Sequence, residues 1–484
     1  MSARRKAWVC CFAGLFALLC PITGRGAEGT WRVGTARVVI TPEQPLWMAG
    51  YASRDKPASE KFSDLWVRAC ALEDRAGERV VLISLDLIGC DRGFAQSICD
   101  SLKQRCGLER KQIALCFSHT HSGPVIGRAL EVAHYRHLGP EQQAAIDAYT
   151  AWLPGQIVDC VGRAVADLTP CELLSGSGTA TIAVNRRNNP EPQVPELRAN
   201  GKLVGPVDHD VPVLAARTSD GNWKAVWFGY ACHATTLSDF QWCGDYPGYA
   251  AAELEAKHAG ATALFWAGCG ADQNPLPRRK LELAQQYGAQ LAAAVEEVLA
   301  RPDGLVPVPP VLRTAWLEIS LPLSSGPSVE ELRQAATAED RFVRARATMY
   351  LERLAAGQSL PTTVPYPIQV WELGNAIQFV CLGGEVVVDY ALRLKSELCG
   401  KQTWVAGYAN DVMAYIPSQR VLAEGGYEGK DAMVYYGLLS PWTAEVEPQI
   451  ISAVHMLVDS VDVKDAVQSG ESVGGSAGEN GEVR

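Results

Sequence analysis

The stretch Ile113-Ala114-Leu115-Cys116-Phe117-Ser118-His119-Thr120-His121-Ser122-Gly123-Pro124 joins an apolar run to a pair of histidines. The apolar run predicts a buried strand, and Gly123-Pro124 ends it. Alternate residues of an extended strand share one face, so His119 and His121 are expected to reach one point. Only 8 of the 484 residues are histidines, which favours a functional site at a strand end. A structural or surface pair is an equally good interpretation of these residues alone.

Apolar runs of strand length alternate with segments of helical periodicity, which predicts a mixed α/β fold with central mixed β-sheets flanked by helices. The predicted strands include 31–40, 65–72, 80–87, 113–117, 211–216, 225–231, 263–266, 312–321 and 376–382. The predicted helices include 141–167, 280–299, 329–354, 386–398 and 444–457. A proline-rich break at 302–310 divides the chain into two portions, 28–305 and 311–463, that are expected to share one core.

The N-terminal residues have the three-part pattern of a secretory signal peptide. Arg4, Arg5 and Lys6 precede an apolar run that ends at Cys20, and small residues follow up to Ala27. The pattern predicts that residues 1–26 are removed and that the protein is exported to the periplasm or the extracellular space. No later apolar run approaches the ~20 residues of a membrane-spanning helix. Residues 466–484 are rich in Gly, Ser and Glu and predict a disordered tail.

The charge balance excludes a nucleic-acid-binding protein, and the spacing of the cysteines excludes a metal finger. Without residues 1–26 the chain carries 40 basic and 54 acidic residues, so a nucleic-acid partner is excluded. The twelve remaining cysteines show no C-x-x-C pair and no metal-finger spacing. Several, such as Cys116 and Cys381, lie in apolar strands and predict buried thiols. One or two disulfides, for example Cys90–Cys99 or Cys99–Cys106, remain open.

Three more segments carry candidate chemistry. His233 follows the apolar strand 225–231, a glycine-rich loop spans 268–274, and Glu385 begins a helix after an apolar strand. Two histidines and a carboxylate from separate strands suit a catalytic zinc ion with an open position. Each segment also has an ordinary interpretation, as a core histidine, a tight turn and a helix N-terminal acid.

Five segments, in this order along the chain, resemble the neutral/alkaline (non-lysosomal) ceramidase family: Val33–Pro42, Ser118–Pro124, Ala231–Leu237, Gly384-Glu385 and Asn410–Glu428. The resemblance extends over roughly residues 31–460 and implies a zinc hydrolase catalytic domain over 28–463. Carried over residue by residue, it implies that one zinc ion is held by His119, His233, Glu385 and Tyr415. It also implies a catalytic set in which His121 transfers a proton while Tyr427 and Arg186 stabilise the oxyanion.

The chain departs from the family at the glycine-rich loop. The family has a serine four residues before the aspartate, where this sequence has Gly268, followed by Cys269. This difference disfavours a serine nucleophile and favours hydrolysis by metal-activated water. Gly268, Cys269, Asp245 and Asp272 are predicted to contact the substrate, although helix capping and turn stabilisation explain the two aspartates equally well. The family also continues into a C-terminal β-sandwich, which makes this chain a shortened, ceramidase-like member.

These observations predict an exported, zinc-dependent amidohydrolase that cleaves a linear N-acyl amide. The substrate would be N-acylsphingosine, another ceramide-like lipid or a smaller analogue, with peripheral contact to lipid and a role in sphingolipid metabolism. One alternative keeps the zinc and changes the bond to an ester or a carbohydrate-linked acyl group. The other is a non-catalytic ligand-binding protein on a degenerate hydrolase scaffold.

Overall fold

A computed structural model describes residues 30–301 and 304–469, with side chains described up to residue 462. The predicted signal peptide, residues 1–26, lies outside these residues. So does most of the predicted tail, because only 466–469 are described, and they belong to the last helix.

The strands that the structure shows are β1 Trp31–Val39, β2 Glu60–Lys61, β3 Trp66–Glu73, β4 Arg79–Leu85, β5 Ile113–Phe117, β6 Thr169–Thr179, β7 Ala183–Asn185, β8 Asp210–Arg217, β9 Trp223–Tyr230, β10 Gln241–Trp242, β11 Thr262–Ala267, β12 Gln273–Pro275, β13 Val306–Pro307, β14 Leu312–Pro322, β15 Thr363–Leu373, β16 Ile377–Leu382, β17 Glu385–Val386, β18 Gln402–Ala406 and β19 Tyr415–Ile416. The helices are α1 Arg92–Cys106, α2 Glu131–His134, α3 Pro140–Ala166, α4 Val194–Ala199, α5 Asp245–Lys257, α6 Leu281–Ala300, α7 Val329–Ala335, α8 Arg341–Ala355, α9 Val388–Glu397, α10 Gln419–Glu424, α11 Met433–Tyr436 and α12 Val446–Ser469.

Two mixed sheets form the centre of the molecule. The larger has nine strands in the order β11-β9-β8-β6-β1-β3-β4-β5, with β13 paired to β6. Its outer pairs, β11–β9 and β4–β5, are parallel, and the pairs between them are antiparallel. The smaller sheet has four strands in the order β14-β15-β16-β18, of which β16–β18 is parallel. The predicted mixed α/β fold is confirmed.

The two sheets are the middle two of four layers, because each strand directs alternate side chains to opposite faces of its sheet. Val67 and Ala69 of β3 pack with Ile157 of α3, whereas Cys70, on the opposite face, packs with Trp371 of β15. On the outer face of the smaller sheet, apolar side chains of β15 and β16 pack against α9 and α12. Because both faces of each sheet are covered, the order of layers is helix, sheet, sheet, helix.

The larger sheet curves so that strands far apart in its order come close together. The Ser84 hydroxyl on β4 donates to the Phe265 carbonyl on β11 at 2.6 Å. The chain after β18 lies between the ends of β5 and β11, where Gly407 N–H donates to the last residue of β11 at 3.0 Å. The curvature therefore brings the carboxyl ends of β5, β9 and β11 to one place.

Two of the longer elements differ from the sequence prediction. Strand β6 was not predicted, because its glycines and polar residues give no apolar pattern. A Cβ on Gly176 would lie 2.4 Å from the Gly304 carbonyl, so the glycine allows the chain to pass close to the strand. The predicted helix 329–354 is two helices, because Asp340 accepts hydrogen bonds from Phe342 and Val343 N–H and so caps a new start.

All twelve cysteines after residue 26 are unpaired, so neither Cys90–Cys99 nor Cys99–Cys106 is bridged. Cys116 and Cys381 are buried, as predicted. Among the described residues, no helix combines the length and the apolar character that a membrane span requires.

Candidate active site

The histidine pair lies immediately after β5, in a turn and not in an extended strand. His119 has a φ of 58°, so the alternation that predicted its direction does not apply. The two rings nevertheless converge, with His119 Nε2 and His121 Nε2 3.2 Å apart. The turn is fixed by backbone bonds from His119 N–H to the Leu87 carbonyl at 3.0 Å and from His121 N–H to the Ala234 carbonyl at 3.2 Å.

Two imidazoles are oriented by backbone carbonyls. His119 Nδ1 lies 2.6 Å from the Ile88 carbonyl oxygen, and His233 Nδ1 lies 2.8 Å from that of Gly270. A carbonyl only accepts, so each Nδ1 carries a proton, and in a neutral ring the Nε2 atom then presents a lone pair. Burial, followed by the nearby Arg186 charge, lowers the pKa of His233 to about 4, which keeps the ring neutral at pH 7.

A short parallel ladder brings Glu385 and Tyr415 to the same point. The two residues are register partners in the β17–β19 pair. The Glu385 Oε2 atom lies 3.0 Å from His233 Nε2 and 3.4 Å from His119 Nε2. The Tyr415 hydroxyl lies 3.3 Å from His233 Nε2. Four side chains from four separate parts of the chain thus meet, each within hydrogen-bonding distance of another, and all four are buried.

This donor set fits a zinc ion. When both rings are neutral and the carboxylate is ionised, two Nε2 atoms and a carboxylate oxygen face one another at 3.0 and 3.4 Å, and none of the three has a proton to donate. Such an arrangement of acceptors is stabilised by a cation among them. Ligands around a tetrahedral zinc are separated by about 3.3 Å, and each ligand histidine commonly donates its other N–H to a carbonyl. His119, His233, Glu385 and Tyr415 are the residues that would hold the ion.

His121 lies as close to this cluster as the predicted ligands do. The three histidines present ring nitrogens within 4.8 Å of one another, a spacing compatible with a metal ion. The His121 Nδ1 atom is buried and has no hydrogen-bond partner in the described part of the chain. Its ring packs against Gly50, where a Cβ would lie 2.5 Å from His121 Cγ. Burial and the neighbouring histidines lower the pKa of His121 well below its ordinary value.

Arg186 contacts the cluster through Tyr415. Its Nη2 atom donates to the Tyr415 hydroxyl at 3.1 Å, its Nη1 atom to Asn274 Oδ1 at 3.2 Å, and its Nε atom to Glu428 Oε1 at 2.7 Å. A guanidinium has five N–H groups, so two remain for a ligand. Arg187 also pairs with Glu428, at 2.6 Å.

A cavity of about 160 Å³ lies beside the cluster, and its lining residues include Glu385, Tyr415, His121, Tyr51 and Tyr427. His119, His233 and Arg186 do not line it. Tyr427 is 46% exposed, and its ring lies 5.3 Å from that of Tyr415. A glycine with positive φ, Gly426, precedes the single π-helical turn that carries it. The cavity therefore combines a buried metal-binding set with an exposed phenol.

Comparison with known proteins agrees with this geometry. Residues 31–288, more than half of the chain, match the sequence model described as "Neutral/alkaline non-lysosomal ceramidase, N-terminal". The chain belongs to the neutral/alkaline ceramidase family. The neutral ceramidase of Drosophila pseudoobscura pseudoobscura is 26% identical over 258 residues, and that of Drosophila melanogaster is 26% identical over 243 residues. These matches span 51% and 48% of this chain but only 35% and 33% of the relatives.

The fold of this ceramidase-family chain also matches a solved structure. The crystal structure of neutral ceramidase from Pseudomonas aeruginosa aligns with a TM-score of 0.67 and 19% identity over 94% of this chain and 77% of that one. A ceramidase complexed with C2 aligns equally well. Glu385 and Tyr415 lie beyond the matched residues 31–288, so their place beside the histidines comes from the fold.

Four residues predicted to contact substrate are absent from the cavity walls of this ceramidase-family chain. Asp245 Oδ2 accepts from Leu237 N–H at 3.0 Å. Asp272 Oδ1 accepts from Val388 N–H at 2.9 Å, at the start of α9, and burial raises the Asp272 pKa to about 6. Both carboxylates therefore hold backbone in place, which was the alternative interpretation of each.

Gly268 and Cys269 also contribute to packing and not to the cavity walls. A Cβ on Gly268 would lie 3.0 Å from that of Ala231, so the glycine allows close packing of two chain segments. Cys269 is fully buried in the hydrophobic cluster of the smaller sheet. Its thiol faces the Val405 carbonyl at 4.0 Å, and burial raises its pKa well above the ordinary value.

Tyr436 was not predicted from the sequence. Its hydroxyl donates to Glu385 Oε1, the oxygen opposite to the one that faces the histidines. The pair Tyr435-Tyr436 was the only signal available, and neither spacing nor resemblance distinguished it. Tyr408 was missed in the same way, although its hydroxyl lies 3.3 Å from His233 Nδ1.

We expect Tyr436→Phe to weaken zinc binding by about 10–100-fold, the usual effect of losing a hydrogen bond to a metal ligand. Zinc affinity measured by competition with a chromophoric chelator checks this. Tyr435→Phe is the matched control, because Tyr435 also lines the cavity but is not bonded to Glu385. Equal effects of the two substitutions would contradict the assigned role.

Proposed function

We propose that this protein is an exported, zinc-dependent amidohydrolase that cleaves a linear N-acyl amide, either a ceramide or a smaller analogue. The observation that carries the proposal is the meeting of His119 Nε2, His233 Nε2, the Glu385 carboxylate and the Tyr415 hydroxyl beside an open cavity. Membership of the ceramidase family supports the amide as the bond that is cleaved. The signal-peptide pattern of residues 1–26 supports export.

A zinc ion bound there polarises a carbonyl and lowers the pKa of a water molecule to about 7. The protein's own groups supply the remaining functions. Arg186 has two further N–H groups and donates to the hydroxyl of Tyr415, which lines the cavity together with Tyr427. We therefore expect Arg186 and Tyr427 to donate hydrogen bonds to the oxyanion of an amide undergoing attack. The neutral His121 ring, with its unpartnered Nδ1 atom, is suited to accept a proton and pass it to the leaving amine.

The size of the cavity bears on the substrate. About 160 Å³ is below the ~300–1,000 Å³ of pockets that enclose a drug-sized ligand. The cavity therefore holds the groups around the scissile bond, and the distal parts of the acyl chain and the amine lie outside it. Tyr51, Leu130 and Tyr427 provide apolar surface along that exit.

A substrate panel tests this function. N-acyl amides of increasing chain length and esters with the same acyl groups are incubated with the protein, with and without a chelator. We expect amide hydrolysis that the chelator abolishes and added zinc restores. Hydrolysis of the esters alone would support an esterase, and absence of both bound zinc and hydrolysis would support a ligand-binding protein.

Replacing Cys269 by serine is expected to leave turnover within about threefold, since the thiol lies in the core and is not the nucleophile. Steady-state kinetics on the best amide of the panel measure this, with the melting temperature as a check on folding. A collapse of kcat with an unchanged melting temperature would instead indicate a cysteine nucleophile.

His121→Ala separates the two roles open to that histidine. If His121 transfers protons, the variant retains stoichiometric zinc while hydrolysis falls by about 10²–10⁴-fold. Metal analysis of the purified variant, together with the amide assay, decides the matter. Loss of the zinc would make His121 a ligand, an arrangement that its 3.2 Å distance from His119 also permits.

A further inference from the structure

A second cavity, larger than the one beside the histidines, lies elsewhere in the described structure. It is an open cleft of about 860 Å³, here called the Trp152 cleft, between the end of β1, the segment 41–46, the strand β2 and one face of α3. None of its lining residues also lines the cavity beside the histidines. Its volume is within the range of small-molecule binding sites.

The walls of the Trp152 cleft suit a hydrocarbon chain. Ala145, Ala148, Tyr149 and Trp152 have the spacing of one helix face, and the two alanines leave room between α3 and the opposite wall. Trp152 is 43% exposed, an unusual state for so large an apolar side chain in water. The aromatic rings of Tyr149 and Trp152 lie 5.4 Å apart and form a continuous apolar surface.

The charges on the cleft favour a cation. Glu43 and Glu60 are exposed and form no ion pair within the described residues, whereas Lys61 is neutralised by Asp64 at 2.6 Å. The lining therefore carries two uncompensated negative charges. A fatty-acid anion would be repelled, and an ammonium group would be attracted both by the carboxylates and by the faces of the aromatic rings.

The Trp152 cleft also contains a buried hydrogen-bond donor that has no partner within the described residues. Trp242 lines the cleft and is only 1% exposed, and its indole Nε1–H has no hydrogen-bond partner in the described part of the chain. A buried N–H without a partner costs free energy, which a ligand carrying an acceptor atom would recover. A hydroxyl oxygen close to the ammonium group would be such an acceptor.

From this combination we infer that the Trp152 cleft is a second ligand site, which binds one molecule of a long-chain amino alcohol. The hydrocarbon chain lies along Tyr149 and Trp152, the ammonium group lies between Glu43 and Glu60, and the hydroxyl group accepts from Trp242. The inference does not depend on the proposed hydrolysis, because no residue of the histidine cavity takes part in it.

Calorimetric titration of the full chain with 2-amino-1-decanol and with decanoate tests the site. We expect one amino alcohol per chain and much weaker binding of the carboxylate. The double variant Glu43→Gln/Glu60→Gln should weaken amino alcohol binding by roughly three- to tenfold, as expected for two exposed charge interactions. Trp152→Ala should weaken the binding of both probes, since it removes apolar surface that they share.

Two controls locate the site. The double variant Glu196→Gln/Glu282→Gln changes the net charge equally at exposed positions outside the cleft and should leave the affinity unchanged. Tyr427→Phe, in the histidine cavity, should also leave it unchanged. The inference fails if decanoate binds as tightly as the amino alcohol or if Glu43→Gln/Glu60→Gln has no effect. It also fails if binding is lost in Tyr427→Phe, or if the cleft mediates self-association that Trp152→Ala abolishes.

Discussion

His233→Ala is expected to lose bound zinc and amide hydrolysis together. The substitution removes a buried Nε2 atom 3.0 Å from the Glu385 carboxylate and leaves a cluster of one histidine, one carboxylate and one phenol. The effect should exceed the 10–100-fold that loss of an outer partner of a metal ligand causes, because a direct ligand is lost. His119→Ala should behave in the same way, since its Nε2 atom faces the same carboxylate oxygen.

Metal content of the purified variants, together with kcat/KM on the best amide, measures the outcome. His258→Ala is the matched control: it removes a histidine that is bonded to Glu296, outside the cluster. Near-native melting temperatures in chelator would show that the fold is intact. Stoichiometric zinc in either variant would refute the ligand assignment.

Arg186→Gln is expected to retain zinc and to lower kcat/KM by about 10²–10³-fold, the usual effect of removing one donor to an oxyanion. The loss should appear mainly in kcat, because a donor to the developing charge acts in the transition state. The fold should tolerate the change, since Glu428 keeps its ion pair with Arg187 at 2.6 Å.

Arg187→Gln is the control for that experiment. Arg187 shares Glu428 with Arg186, but the described hydrogen bonds of its guanidinium go to Glu428, Glu424 and Gly425, and none goes to Tyr415. We expect a change of no more than a few-fold in kcat/KM. Equal losses in the two variants would assign the effect to the Glu428 pair, and loss of zinc in Arg186→Gln would make Arg186 a support for Tyr415.

The strands could be predicted where apolar residues dominate them. β5 was predicted with its bounds, because a strand that is buried on both faces requires apolar side chains throughout. β1, β3 and β4 also contain arginines and were predicted to within two residues at either end. β6 could not be predicted, because it contains glycines and polar residues. Its glycines are required by the close approach of the chain near Gly304, and a contact between distant segments leaves no periodic signal.

In the candidate site, too, some residues could be predicted from the sequence and others could not. The histidines and Glu385 could be singled out because each follows an apolar strand, and the family resemblance added Tyr415, Arg186 and Tyr427. The partners Tyr436, Glu428 and Asn274 could not, because they are ordinary residues in short helices or a short strand until the fold brings them within hydrogen-bonding distance. For Asp272 the sequence left substrate contact and backbone stabilisation open, and in the structure its carboxylate accepts a hydrogen bond at the start of α9.

The sequence alone determined the fold class and the chemical groups that the protein carries. It predicts a mixed α/β chain with a histidine pair at the end of a buried strand, in the pattern of the ceramidase family. Those properties depend on residue types at short spacing. Only the tertiary structure decided which atoms meet, because a curved sheet and a two-residue ladder join residues that lie 266 positions apart between His119 and Glu385. The tertiary structure also places His119 in a turn, with a φ of 58°, and not in the extended strand. The imidazoles of His119 and His121 therefore converge because backbone hydrogen bonds to Leu87 and Ala234 fix the turn that carries them, and not because the two residues alternate along a strand.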